Sequence, residues 1–115
     1  IMENIIYNEL IIRGYSVDVG IVEVNYKDEN NKSYRKQYEV DFVCYKGNSK
    51  YYIQSAYAIT DKEKFITETR GLLKINDSFK KIVILKDCYI PWYDENGIYY
   101  IGLEQFLLDS NSLEK

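Results

Sequence analysis

A chain of 115 residues, 46% hydrophobic and 29% charged, is sized for one domain that buries its own core without metal or disulfide support. Its net charge of −3 argues against broad, nonspecific affinity for nucleic acid, which needs clustered positive surface. The absence of histidine removes His-assisted serine or cysteine catalysis and most zinc sites.

Residues 3–13 carry Ile6, Leu10 and Arg13 along one side, widened by Ile5, Tyr7 and Ile12, which predicts a helix stopped by Gly14. Glu3 and Glu9 both fall within it. Six residues apart, they point about 240° from one another and are not expected to serve one site together. Ile1 stands ahead of Met2, as expected of a piece excised from a longer protein. Residues 15–26 read as a strand in which Val17, Val19, Ile21 and Val24 are interrupted by Gly20, a candidate bulge. A polar turn over 27–32 follows. Strands are predicted over 33–45 and 51–59, joined by the turn Lys46-Gly47-Asn48-Ser49-Lys50, so that 15–59 forms an antiparallel meander.

Thr60 and Glu63 have capping-box spacing ahead of a helix over 61–74, which is expected to bury Phe65, Ile66, Leu72 and Leu73; Gly71 weakens its second half. Residues 80–85 contain the apolar run Ile82-Val83-Ile84-Leu85, typical of a strand covered on both faces. Reached through a helix, this strand should lie parallel to the third. A loop over 91–97, a strand over 98–101 and a short helix over 103–108 complete the order α-β-β-β-α-β-β-α. No run nears the roughly 20 apolar residues of a membrane span and no signal peptide is visible, so a cytoplasmic location without membrane contact is expected.

Cys44 and Cys88 lack metal-ligand spacing, and Cys44, inside a strand, is expected to be a buried free thiol. Thirteen tyrosines against four phenylalanines suit half-buried strand faces and docking surfaces alike. Lys32, Arg35 and Lys36, and separately Lys80 and Lys81, form small basic clusters that read as a solvated rim.

The stretch from 39 to 57 carries the candidate chemistry. Asp41 lies on one strand and faces its hairpin partner, where Gln54 and Ala56 share one face and Ile53, Ser55 and Tyr57 the other. An aspartate opposite two i, i+2 positions is a geometry suited to a divalent metal. Here those two positions are Gln and Ala.

A helix with an early Glu3, a meander with Asp41 on its second strand and Gln54-Ser55-Ala56 on its third, then a helix and a parallel strand resemble the PD-(D/E)xK nuclease fold. That fold is an α/β, restriction-endonuclease-like α-β-β-β-α-β core, a mixed sheet flanked by helices. Glu3 is similar to the helical glutamate of Holliday-junction resolvases, Asp41 to the family aspartate, and Gln54-Ser55-Ala56 stands where the family writes Glu-x-Lys. More narrowly, Glu3-Asn4-Ile5-Ile6-Tyr7-Asn8-Glu9-Leu10, Arg13-Gly14-Tyr15, Glu39-Val40-Asp41-Phe42-Val43, Tyr52-Ile53-Gln54-Ser55-Ala56-Tyr57 and Leu72-Leu73-Lys74-Ile75 look like domain of unknown function 4143. The likeness covers nearly all of 3–109.

That resemblance implies a single nuclease-like domain over 1–115, the C-terminal part of a bacterial or archaeal AAA-type ATPase, with the ATPase module of the same chain as its partner. No G-x-x-x-x-G-K-[ST] phosphate loop occurs in this piece. In an active nuclease of this kind, carboxylates hold Mg²⁺ and the lysine helps to activate water. Here only Asp41 and Glu3 would ligate metal, Gln54 offers an uncharged amide oxygen, and Ala56 offers nothing. Gln54 is instead expected to donate its amide N–H to the Asp41 or Glu3 carboxylate, forming a vestigial site. Lys62, Lys64 and Arg70 are the basic residues close in sequence for a migrated lysine role. The favoured expectation is an inactive accessory domain with a recognition or regulatory role and no cofactor. The alternatives are a Mg²⁺-dependent, structure-selective DNA endonuclease with a degenerate site, and a DNA binder without cleavage; enzyme or not stays open.

Overall fold

The computed structural model describes residues 1–58, 62–87 and 90–115. The first helix, α1, spans Met2–Ile12 and ends because Gly14 takes a φ of +90°. The Gly14 N–H then donates to the Ile11 carbonyl and the Tyr15 N–H to the Leu10 carbonyl, closing a Schellman motif. Met2, Ile6 and Leu10 are buried. The apolar stripe is narrower than expected: Ile5, Tyr7 and Ile12 are exposed, because only one residue per turn faces the sheet.

Three strands follow, β1 (Ser16–Lys27), β2 (Ser33–Lys46) and β3 (Ser49–Ala56), paired antiparallel as the expected meander. The turn between β2 and β3 is tighter than five residues. Lys46 pairs with Ser49, and Gly47, at φ +59°, makes the two-residue connection. Strand β3 ends at Ala56, short of the expected boundary, and Ile59 lies outside the described residues, as do Thr60, Asp61 and Cys88.

Helix α2 (Lys62–Lys74) runs unbroken through Gly71. A Cβ there would lie 2.5 Å from the Glu39 carbonyl oxygen, so the missing side chain lets α2 approach β2. That close contact selects which side of α2 is covered: Thr69, Gly71 and Leu72 are buried and Phe65 is partly packed, whereas Ile66 and Leu73, expected in the core, are half exposed. Strand β4 (Lys80–Leu85) lies parallel to β3, as expected, and Ile82 to Leu85 are all buried. Then come β5 (Trp92–Tyr93), β6 (Tyr99–Gly102), α3 (Leu103–Leu108) and a 3-10 turn (Ser112–Glu114). β5 falls inside the expected loop. It pairs with β6, and Trp92 stacks on Tyr100 at 4.1 Å.

The result is an α/β fold with one mixed six-stranded sheet, order β1-β2-β3-β4-β6-β5, flanked by helices. One face packs Ile6 and Leu10 against Phe42, Cys44, Ile53 and Ile84. The other packs Leu72 against Val40, Val43, Ala56, Val83 and Leu85. Among the described residues no helix is long and apolar enough to cross a membrane.

Candidate functional site

The site is built on an irregularity of β2. Asp18 pairs with Val43 but Gly20 pairs with Val40, so two residues of β2, Asp41 and Phe42, oppose the single Val19 of β1. This is a β-bulge, which bends a strand and re-aims a side chain. Gly20 flanks it as expected, though the extra residue belongs to the partner strand. A Cβ on Gly20 would meet a Val43 methyl at 2.8 Å, so the glycine makes room for the bulge. Val40 and Val43, three residues apart, consequently pack in the same apolar cluster.

The regular β2–β3 register is recorded down to Phe42 opposite Ile53, and side chains bridge the strands beyond it. Asp41 Oδ2 accepts the Ser55 N–H at 2.9 Å and the Ser55 hydroxyl at 2.6 Å. In exchange the Asp41 N–H donates to Gln54 Oε1 at 3.2 Å, and Gln54 Nε2 donates to the Ser55 carbonyl at 3.3 Å. The structure therefore brings Asp41 and Gln54 together, but not through the bond expected. Gln54 serves the Asp41 backbone with its oxygen, and the carboxylate is taken by Ser55, because the bulge turns Asp41 toward the neighbouring residue. Ser55 is the residue that strict alternation missed; Gly20, paired with Val40 beside the bulge, was the available signal of a register change.

Asp41 and Gln54 line a groove of about 400 Å³ together with Lys36, Tyr38, Glu68 and Arg70. Arg70, one of the three basic residues singled out in the sequence, reaches this groove; Lys62 and Lys64 do not line it. Glu3 lies exposed on the first turn of α1 and does not line it either. Ala56 is 2% exposed within the α2-side cluster, so its position faces core rather than groove.

The Mg²⁺ implied by the nuclease resemblance does not fit these residues. Mg²⁺ takes oxygen ligands, commonly one or two carboxylates with waters or phosphates. The Asp41 carboxylate is met by the N–H and the O–H of Ser55, and the Gln54 side-chain oxygen already accepts the Asp41 backbone N–H. Among the described residues no group of three or more His, Cys, Asp or Glu is gathered closely enough to hold a metal ion.

The remaining expectations divide cleanly. Cys44 is a fully buried free thiol, and burial pushes its pKa up to about 12. The basic pair at 80–81 is spent internally: Lys80 Nζ donates to the Leu113 carbonyl at 2.9 Å, and Lys81 Nζ lies 3.3 Å from Asp77. Arg13, expected only as part of a helix stripe, has a side chain just 5% exposed and paired with Glu9.

The family model for a domain of unknown function (DUF4143) matches residues 1–106. An uncharacterised protein of Haemophilus influenzae is 36% identical over 107 residues, covering 93% of this chain. The chain spans only 22% of that relative's length. No solved structure matches. The extent of the family match decides membership: this chain belongs to the DUF4143 family.

Proposed function

We propose that this chain is an accessory domain of nuclease-like fold that does not cut, and that it supplies a recognition or regulatory surface to an AAA-type ATPase module of the same protein. The observation that carries this is the occupation of the Asp41 carboxylate by Ser55, with Gln54 on the Asp41 amide. A carboxylate that accepts two short hydrogen bonds from its own hairpin is held for structure. The α-β-β-β-α-β order, with Asp41 where the second and third strands part, supports the restriction-endonuclease-like comparison. The Haemophilus relative extends far beyond the matched part, which leaves room for a partner module in that protein. A buried free Cys44 suits a reducing compartment such as the cytoplasm.

Calorimetric titration with Mg²⁺, and incubation with branched and single-stranded DNA in Mg²⁺ and in Mn²⁺, test the proposal. Neither a low-micromolar metal site nor cleavage is expected. Cleavage that disappears in Asp41→Ala would overturn it in favour of a metal-dependent, structure-selective endonuclease.

A further inference from the structure

The distal half of the β1–β2 hairpin extends past the body of the sheet: β1 pairs with β2 as far as Ser33, whereas recorded pairing of β3 with β2 stops at Phe42. Residues directly opposed in an antiparallel pair share a face. Val22 and Tyr38, Val24 and Lys36, and Tyr26 and Tyr34 therefore line one side of this ribbon. No carboxylate belongs to that set. Glu23 lies on the other side, 3.6 Å from Arg35, and Glu39 alternates onto that side too.

The rings of Tyr26 and Tyr34 stack at 5.4 Å, and Tyr34 is 49% exposed. Helix α2 brings Lys74 to this face, its ammonium 5.9 Å from the centroids of both Tyr26 and Tyr38. Lys36 lies 5.5 Å from the Tyr38 ring. The Tyr38 phenol is pulled below its ordinary pKa, first by its 2.9 Å hydrogen bond with Tyr26 and then by the charges of Lys36, Lys74 and Arg70. Three cations thus act on one half-buried hydroxyl. The groove at the ribbon's root carries Glu39, Asp41 and Glu68 beside Lys36, Tyr38 and Arg70, whereas Tyr26, Tyr34 and Lys74 lie outside its lining. The chain's net charge of −3 does not oppose this, because charges farther away than about 10 Å are largely screened in physiological salt.

We propose that this tyrosine–lysine face binds a single-stranded nucleic acid, with phosphates held by Lys36, Lys74 and Arg70 and a base stacked on Tyr34. Aromatic rings beside cations suit that ligand, since each unpaired base offers a π-face and each linkage a negative charge. A paired duplex hides its base faces, and an acidic peptide has none to offer. The proposal goes beyond the account of Asp41 and is measured by binding, whereas that one is measured by Mg²⁺ affinity and cleavage.

Fluorescence anisotropy with a labelled oligothymidylate tests it. Affinity should fall with salt on a log–log slope of about −2, as three phosphate contacts on a single strand require. Tyr34→Ala should weaken binding by about 5- to 150-fold with the slope unchanged. Lys36→Ala should reduce the slope by about 0.7. Arg35→Ala, on the opposite side, should change neither. All three residues are exposed, so thermal melts should coincide with that of the parent chain. No binding at about 50 mM salt, no effect of Tyr34→Ala, or equal affinity for polyglutamate or for duplex DNA would overturn the proposal.

Discussion

Arg13 clasps Phe106 from 93 residues away, its guanidinium donating to the Phe106 carbonyl and lying 4.4 Å from the centroid of the Phe106 ring. The same group donates to the Asp109 carbonyl at 2.9 Å and the Ser112 hydroxyl at 3.0 Å, and pairs with Glu9 Oε2 at 2.8 Å. One side chain therefore joins α1 to α3 and to the turn after it. Lysine has no planar fork with which to repeat this. Arg13→Lys is expected to destabilise by about 2–4 kcal/mol, through partners left unpaired. Urea unfolding would register a lower midpoint at an unchanged slope. A change below about 0.5 kcal/mol, ordinary for a surface residue, would mean that apolar burial alone holds the C-terminal elements.

Gly71→Ala sets two effects against each other. Alanine is the better helix former by about 1 kcal/mol. Its methyl, however, would sit 2.5 Å from the Glu39 carbonyl oxygen, and both groups are backbone-fixed. Overpacking of this kind costs about 1–3 kcal/mol. The net expectation is destabilisation, seen as a lower melting temperature; a stabilised variant would show that α2 slides away freely.

If Asp41 is held for structure, its removal should harm folding. Ser55→Ala deletes the hydroxyl bond to the carboxylate and should cost about 1.5–3 kcal/mol, in the range of charge-assisted bonds. Asp41→Ala should cost at least as much, since the Ser55 N–H and hydroxyl both lose their acceptor. A double-mutant cycle should return a coupling of about 1–2 kcal/mol between the two positions. An Asp41→Ala variant more stable than the parent would instead indicate a strained functional carboxylate.

Alkaline pH should weaken the fold. Burial raises the Cys44 thiol from 9.0 to about 12, and burial, with the neighbouring Tyr51 and Cys44, raises the Tyr15 phenol from 10.0 to about 12. Both groups hold a proton more tightly in the folded chain than in the unfolded one. Their stabilising contribution is complete below pH 9.0, declines as the unfolded groups ionise first, and is lost by about pH 12. Urea midpoints measured upward from pH ~8 should fall beyond ~9 and more steeply beyond ~10. The Cys44→Ala chain, though less stable, should show a shallower onset.

Strand existence and pairing were legible because period-two patterns and turn residues carry them locally. The meander, the stop at Gly14 and the parallel return of 80–85 all belong to that kind. The partner of Asp41 was not legible. Strict alternation puts Gln54 opposite it, but one extra residue at 41–42 rotates the carboxylate toward Ser55, and the sequence marks that only through Gly20. The role of Arg13 was hidden for another reason: apart from Glu9, its partners lie at the far end of the chain, where no local periodicity reports them. Helix faces were judged too wide, since Ile5, Ile12 and Ile66 are apolar yet solvent-facing.

Ala56 has a consequence for any attempt to build a cutting centre here. A lysine there would drive a four-carbon stem and an ammonium into the cluster of Leu72, Val83 and Leu85, which are 0–2% exposed. Writing the Glu and Lys of the nuclease resemblance at 54 and 56 would thus unseat α2 before it created any chemistry. Packing, rather than the want of two side chains, stands in the way of such a centre.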